Sequence, residues 1–132
     1  MILQYRNNQD KSDPQNDAFF VESNDLADFL DSARTKNPFI AELRGDNGFE
    51  LVIGIGGKFG CVEHIAINGD LPYLMAMSFH PLLTNGEVEF LTANTPTPIA
   101  ARYILSFDEL KEVALHFLAT GERSHSVSWE EI

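Results

Sequence analysis

Apolar and polar positions alternate along the chain in ways that predict where helices and strands lie. Residues 4–17 (QYRNNQDKSDPQND) are polar, so we expect residues 1–17 to form a mobile or loosely docked arm. A single domain is then predicted at residues 18–132, beginning with a short apolar strand at residues 18–22. Apolar side chains recur three and four positions apart over residues 25–35, which is typical of an amphipathic helix.

The middle of the chain is a series of short apolar stretches separated by turn residues such as Asn-Gly and Gly-Gly. These connections are too short for parallel crossovers, so they favour antiparallel neighbours. The predicted strands are residues 39–43, 49–55, 59–67, 74–79, 88–93 and 99–105.

A second helix is predicted before the C-terminus. Ser106 and Glu109 have the spacing of a capping box, and Gly121 is the expected left-handed residue at the helix end. One helix, a block of strands and one further helix indicate an α+β domain. We expect an antiparallel sheet of about five to seven strands with two helices packed on one face.

Composition narrows the classes of function. The 132 residues include 20 acidic and 9 basic side chains, which gives a net charge of -11. Such a chain lacks the Lys/Arg surface that nucleic acids and anionic membranes require, so neither is expected as a partner. A single cysteine, and the absence of an apolar stretch of signal-peptide or membrane-span length, make the cytoplasm the expected location.

The candidate chemical motifs do not meet the requirements of known sites. The glycines at residues 54–60 lack the spacing of either phosphate-binding fingerprint, so they predict a hairpin turn. Cys61 and His64 are three apart in a predicted strand, which places them on opposite faces and prevents joint metal binding. We therefore expect no catalytic residue, no metal and no cofactor.

Acidic side chains alternate with apolar ones on one predicted face of the sheet. Glu42, Glu87 and Glu89 lie on this mixed face, and Asp46 and Asp70 lie in the adjoining turns. These five residues are the candidate contacts for a protein partner with a basic surface. An ordinary solvent-exposed face of an antiparallel sheet remains the alternative interpretation.

The C-terminal segment resembles a known family. The helix end ALHFLATGER at residues 114–123, followed by VSWE at residues 127–130, is similar to the end of immunity protein family one of bacterial polymorphic toxin systems. Ser124-His125 differ from the proline that commonly follows in that family. Independently of the family, Gly121 ends the helix, while Val127 and Trp129 share one side of an extended segment that Glu130 continues.

The resemblance implies a cytoplasmic protein that neutralises a cognate toxin by steric occlusion. Toxins paired with this family are often nucleic-acid deaminases, whose basic clefts would suit an acidic inhibitor. Two other classes stay open on the sequence alone: a small enzyme or ligand-binding domain with a pocket over the sheet, and an interaction or oligomerisation domain without a toxin. The oligomeric state is also open.

Overall fold

Alternating buried and exposed side chains build one large sheet with two helices on one of its faces. The computed structural model describes residues 1–132. The helices are α1 (Ser23–Ala33) and α2 (Phe107–Thr120). The strands are β1 (Leu3–Arg6), β2 (Phe19–Phe20), β3 (Phe39–Gly45), β4 (Phe49–Gly56), β5 (Phe59–Ala66), β6 (Leu74–Met77), β7 (Glu87–Thr92), β8 (Thr95–Ala100), β9 (Leu105–Ser106) and β10 (Ser128–Glu131).

The main sheet has the strand order β10-β6-β5-β4-β3-β1-β2, and all of these neighbours are antiparallel. β9 pairs antiparallel with the start of β5, and the β7–β8 hairpin joins β3 through a single parallel pair, Phe39 with Leu91. The predicted α+β class is confirmed. The strand number exceeds the expected five to seven because several strands are only two to four residues long.

The expectation of a loosely docked arm is wrong for the first strand. β1 pairs with both β2 and β3, and Leu3 and Tyr5 are 0% and 1% exposed. The Tyr5 hydroxyl donates to Asp13 at 2.9 Å, which also holds the following loop against the sheet. Two apolar side chains at alternate positions are enough to give β1 a buried face, even within a polar segment.

Helix α2 has the predicted ends. The Ser106 hydroxyl accepts from the Glu109 amide at 3.1 Å, and the Glu109 carboxylate accepts from the Ser106 amide at 3.0 Å. Gly121 closes the helix with φ of 74°, where a residue without a side chain is favoured. Neither helix has the length and apolar character needed to cross a bilayer.

The main core lies between the two helices and the sheet. It includes the inward side chains of β3, β4 and β5 and the apolar stripes of α1 and α2. Val127 is buried in this core, and the half-buried Trp129 packs against it. The Trp129 indole N–H donates to the Ser124 carbonyl at 2.9 Å, so the last strand is tied to the loop that precedes it.

A second, smaller core lies on the opposite face of the sheet, where the β7–β8 hairpin and a 3₁₀ turn at Ala101–Tyr103 fold over it. Its buried members are Cys61, Met75, Phe90 and Ile104. A side chain at Gly54 would lie 2.5 Å from the Cys61 sulfur and 2.9 Å from the Phe90 ring. The close approach of the hairpin therefore requires glycine at this position.

This second core covers part of the face that the sequence predicts to be a mixed acidic and apolar surface. Alternation within the predicted strand at residues 99–105 places Ile104 on that surface, but Ile104 is 0% exposed. The stretch predicted as a strand at residues 99–105 is divided into the end of β8, the 3₁₀ turn and β9. Sequence alternation identifies the two faces of a strand, but it does not show that a later hairpin will cover one of them.

Trp129→Ala should lower the free energy of unfolding by about 3 kcal/mol, because it removes a large aromatic group from the edge of the core. Trp129→Phe keeps a ring and loses the bond to Ser124, so its loss should be nearer 1 kcal/mol. Thermal unfolding followed by circular dichroism measures both. A Trp129→Ala protein that melts at the wild-type temperature would show that this residue does not support the fold.

Candidate partner-binding surface

The register of the sheet brings charged side chains from separate strands into rows on the face opposite the helices. One residue from each of six neighbouring strands forms the first row: Arg6, Glu42, Val52, Glu63, Met75 and Glu130. Adjacent strands lie about 4.8 Å apart, so the Glu42 and Glu63 backbones are separated by about 10 Å. Arg44 and Glu50 are neighbours in the next row.

The hairpin covers only part of this face. Met75 is buried beneath it. Glu130 accepts a hydrogen bond from the Tyr103 hydroxyl at 2.8 Å and forms an ion pair with Arg102 at 3.1 Å. At the other end of β3 and β4, towards the β3–β4 turn, the face is not covered. We call this part the acidic half-face, which consists of Glu42, Arg44, Glu50, Val52, Glu63 and Ile65.

The acidic half-face has three carboxylates, Glu42, Glu50 and Glu63, but a single arginine, Arg44. The Arg44 guanidinium lies 3.1 Å from the Glu50 carboxylate and 4.0 Å from that of Glu42. Glu42 also accepts a hydrogen bond from the Asn8 amide at 2.7 Å. Glu63 has no ion pair or hydrogen bond to another side chain. The half-face therefore carries more negative charge than its own cations neutralise.

Burial makes this negative charge unfavourable in the free protein. Glu50 is only 7% exposed, and burial, followed by repulsion from Glu42, raises the pKa of its carboxyl although Arg44 opposes the shift. Burial alone raises the pKa of Glu63. A cation from a partner placed over this surface would stabilise both ionised carboxylates.

An apolar pocket of about 330 Å³ adjoins the acidic half-face. Its apolar lining consists of Ile2, Phe19 and Ile67, and Phe19 is 66% exposed. Arg44 and Asp46 form part of its polar border. An apolar centre with a charged border is the usual composition of a protein-binding surface.

The structure distributes the five predicted contact residues over two ends of the sheet. Glu42 lies on the acidic half-face and Asp46 borders the apolar pocket. Asp70 lies at the same end of the sheet as Asp46. Ile67, three residues before Asp70, donates its amide N–H to the carbonyl of Gly48 in the β3–β4 turn at 2.9 Å. Glu87 and Glu89 are exposed on β7, which meets β3 at its other end.

Sequence reasoning missed Glu50 and Glu63 as members of this surface. Two signals were available in the sequence. Both residues alternate with inward apolar residues, and Glu50 lies opposite Arg44 across the β3–β4 hairpin. The strand-face argument for Cys61 and His64 is confirmed: Cys61 packs in the second core, whereas His64 lies on the helix side. Glu63 and His64 likewise point to opposite faces, so they do not converge on one catalytic pocket.

Comparison with known proteins identifies a family. The model of the family described as "Immunity protein Imm1" matches residues 16–131. A search of curated proteins returned no significant match. The matched range includes both helices, β2 to β10, the acidic half-face and the C-terminal segment with Gly121 and Trp129.

Glu63→Gln should stabilise the free protein at pH 7. Folding raises the pKa of Glu63, so the folded state keeps its proton to higher pH than the unfolded chain does. The Glu63 carboxyl therefore favours folding at low pH, where it is protonated. This contribution to the free energy of unfolding is lost as the pH rises through the pKa of the folded state. The gain in melting temperature should be present at pH 7 and disappear below about pH 4.

Glu112→Gln is the matched control, because it removes the same charge from an exposed position on α2. Melting curves of the two variants between pH 3 and pH 8 separate the effect of burial from that of net charge. Equal changes for both variants at pH 7 would contradict the assigned cause.

Proposed function

The chain belongs to the Imm1 family of immunity proteins, and from this premise we propose that it binds a cognate toxin and inhibits it sterically. The toxin in this proposal acts on nucleic acid, as a deaminase does, and exposes a basic surface to its inhibitor. The role of an immunity protein is to protect against a toxin; the target and the mode of inhibition are the proposed part.

The observation that carries the proposal is the unbalanced charge of the acidic half-face. Arg44 is the only arginine that pairs with Glu42 and Glu50, and Glu63 has no ion pair. Arg6, at the end of the row, pairs with Asp17 at 3.3 Å. A protein that handles nucleic acid presents Lys and Arg side chains to phosphates. Such side chains would find, in these carboxylates, partners that the free immunity protein leaves incompletely neutralised.

Long-range charge supports the same partner. A net charge of -11 produces a negative field that raises the rate of encounter with a basic protein. Exposed Asp46 and Asp70 at the adjoining end of the sheet extend this negative region. The apolar pocket beside Asp46 supplies a place where an aromatic or aliphatic side chain of the toxin can be buried.

Inhibition by occlusion requires no chemistry from the immunity protein. The toxin loses access to nucleic acid because its basic cleft is covered, and no bond is made or broken. No cofactor or metal takes part in this scheme. Protection of the producing cell places the complex in the cytoplasm, where a toxin acting on nucleic acid meets its substrate.

The decisive experiment uses the cognate toxin and three double charge reversals. Glu42→Lys with Glu63→Lys should slow association with the toxin at least tenfold at low salt and reduce the salt dependence of the rate. Glu87→Lys with Glu89→Lys changes the charge equally on the hairpin and tests the predicted contacts there. Asp28→Lys with Glu112→Lys, on the helices, is the control.

Association and dissociation rates measured by surface plasmon resonance at two salt concentrations, with melting curves for each variant, separate binding from folding. Equal rates for the half-face variant and the helix control would contradict the assigned surface. If Glu42→Lys with Glu63→Lys lowers stability, the milder Glu42→Gln with Glu63→Gln gives the same comparison. Co-expression with the toxin then shows whether protection follows affinity.

A further inference from the structure

A second pocket lies on the helix side of the sheet and is unrelated to the acidic half-face in composition. It has a volume of about 450 Å³ and is lined by Phe49, His64, Gly121, Glu122, Arg123, His125 and Trp129. It adjoins the β3–β4 turn, since the Asn47 side chain donates to the Gly121 carbonyl at 2.9 Å. In a strongly acidic protein, this pocket combines one arginine and two histidines with a single carboxylate.

His64 is a buried polar group directed into this pocket. It is 8% exposed, and its ring stacks on Phe49 with a centroid separation of 4.9 Å. Phe117 and Trp129 meet the ring edge-on at 5.9 and 6.2 Å. The ring makes no hydrogen bond to another residue. Every fully enclosed polar side-chain atom in the protein has a hydrogen-bond partner, so a ring nitrogen without one is not fully enclosed. A free ring nitrogen therefore faces the pocket.

Arg123 is the second group of the pocket without a polar partner in the protein, and its side chain is exposed. Each of the other four arginines has a partner. Arg34 donates a hydrogen bond to the Gly57 carbonyl, and the remaining three form ion pairs: Arg6 with Asp17, Arg44 with Glu50 and Arg102 with Glu130. The guanidinium of Arg123 has neither, and it lies 6.0 Å from the centre of the Trp129 ring. Its hydrogen-bond donors remain available at the mouth of the pocket.

We propose that this pocket binds a carboxylate carried on an apolar stem. The Arg123 guanidinium can donate two parallel hydrogen bonds to a carboxylate, while Phe49 and Trp129 form walls for the stem. Glu122, at the border, disfavours a doubly charged phosphate, and Arg123 is the one guanidinium of the lining that can pair with a carboxylate. This site is distinct from the proposed toxin surface, because it binds an anion whereas the acidic half-face binds cationic side chains.

Binding of a carboxylate would also satisfy His64. Burial, and then repulsion from Arg123, lowers the pKa of this histidine in the free protein. A carboxylate between the two side chains offsets the positive charge of Arg123. The imidazole then gains the ability to carry a second proton and to donate it to the same carboxylate.

Phenylacetate is a suitable probe, with the neutral phenylacetamide as its matched control. We expect saturable NMR shifts of the His64 imidazole and the Trp129 indole N–H with phenylacetate and none with the amide. Arg123→Gln should weaken phenylacetate binding at least tenfold, whereas Glu122→Gln should leave it unchanged or tighten it. Lys58→Gln removes a positive charge elsewhere and should have no effect.

Three results would overturn the proposal: no saturable shift with phenylacetate, equal shifts with phenylacetamide, or equal binding by Arg123→Gln and wild type when both have the same melting temperature. None of them bears on toxin binding, because the titration uses the immunity protein alone. The source of the natural carboxylate follows from competition. Weakening of the toxin complex by phenylacetate and by Arg123→Gln assigns an acidic side chain of the toxin, and an unaffected complex assigns a free small acid.

Discussion

The structure depends on the two-residue alternation along β3, β4 and β5. Inward residues of these strands, such as Leu43, Leu51 and Val62, form the floor on which both helices pack. The residues between them, among them Glu42 and Glu63, are thereby directed to the other face. A shift of one residue in register would bury carboxylates under the helices, so the packing of the core also determines the position of the charged surface.

The second constraint is the close contact at Gly54. Phe90 can lie over β4 because no side chain is present there, and the hairpin then covers Cys61 and Met75. One face of the sheet is divided in this way into an apolar part that supports the hairpin and a charged part that remains accessible. The acidic half-face is therefore small and has a definite border.

Local signals in the sequence predicted the features that depend on neighbouring residues. The capping box at Ser106, the left-handed Gly121 and the opposite faces of Cys61 and His64 follow from spacing along one element, and all are present. The missed features depend on contacts between distant segments. β1 is a strand because it pairs with Leu43 and its neighbours on β3. Glu50 is buried by residues that pack around it from other segments.

The candidate site shows the same limit more sharply. Alternation identified Glu42 as outward-facing, but it could not distinguish the accessible half of the sheet from the half beneath the hairpin. In the sequence, His64 suggests a site only together with Cys61, three positions away, whereas its surroundings come from Phe49, Phe117 and Trp129 on three other elements. Pockets between elements leave little periodic signal in a single chain.

The energetics of the acidic half-face connect stability with binding. Burial raises the pKa of both Glu50 and Glu63 and so disfavours their ionised forms at some cost to the folded protein, and repulsion from Glu42 adds to this effect at Glu50. A cation supplied by a partner would offset that cost and add its own attraction. Neutralising these residues should consequently stabilise the monomer while weakening its complex, and opposite effects of this kind are the thermodynamic sign of a surface shaped for a charged partner.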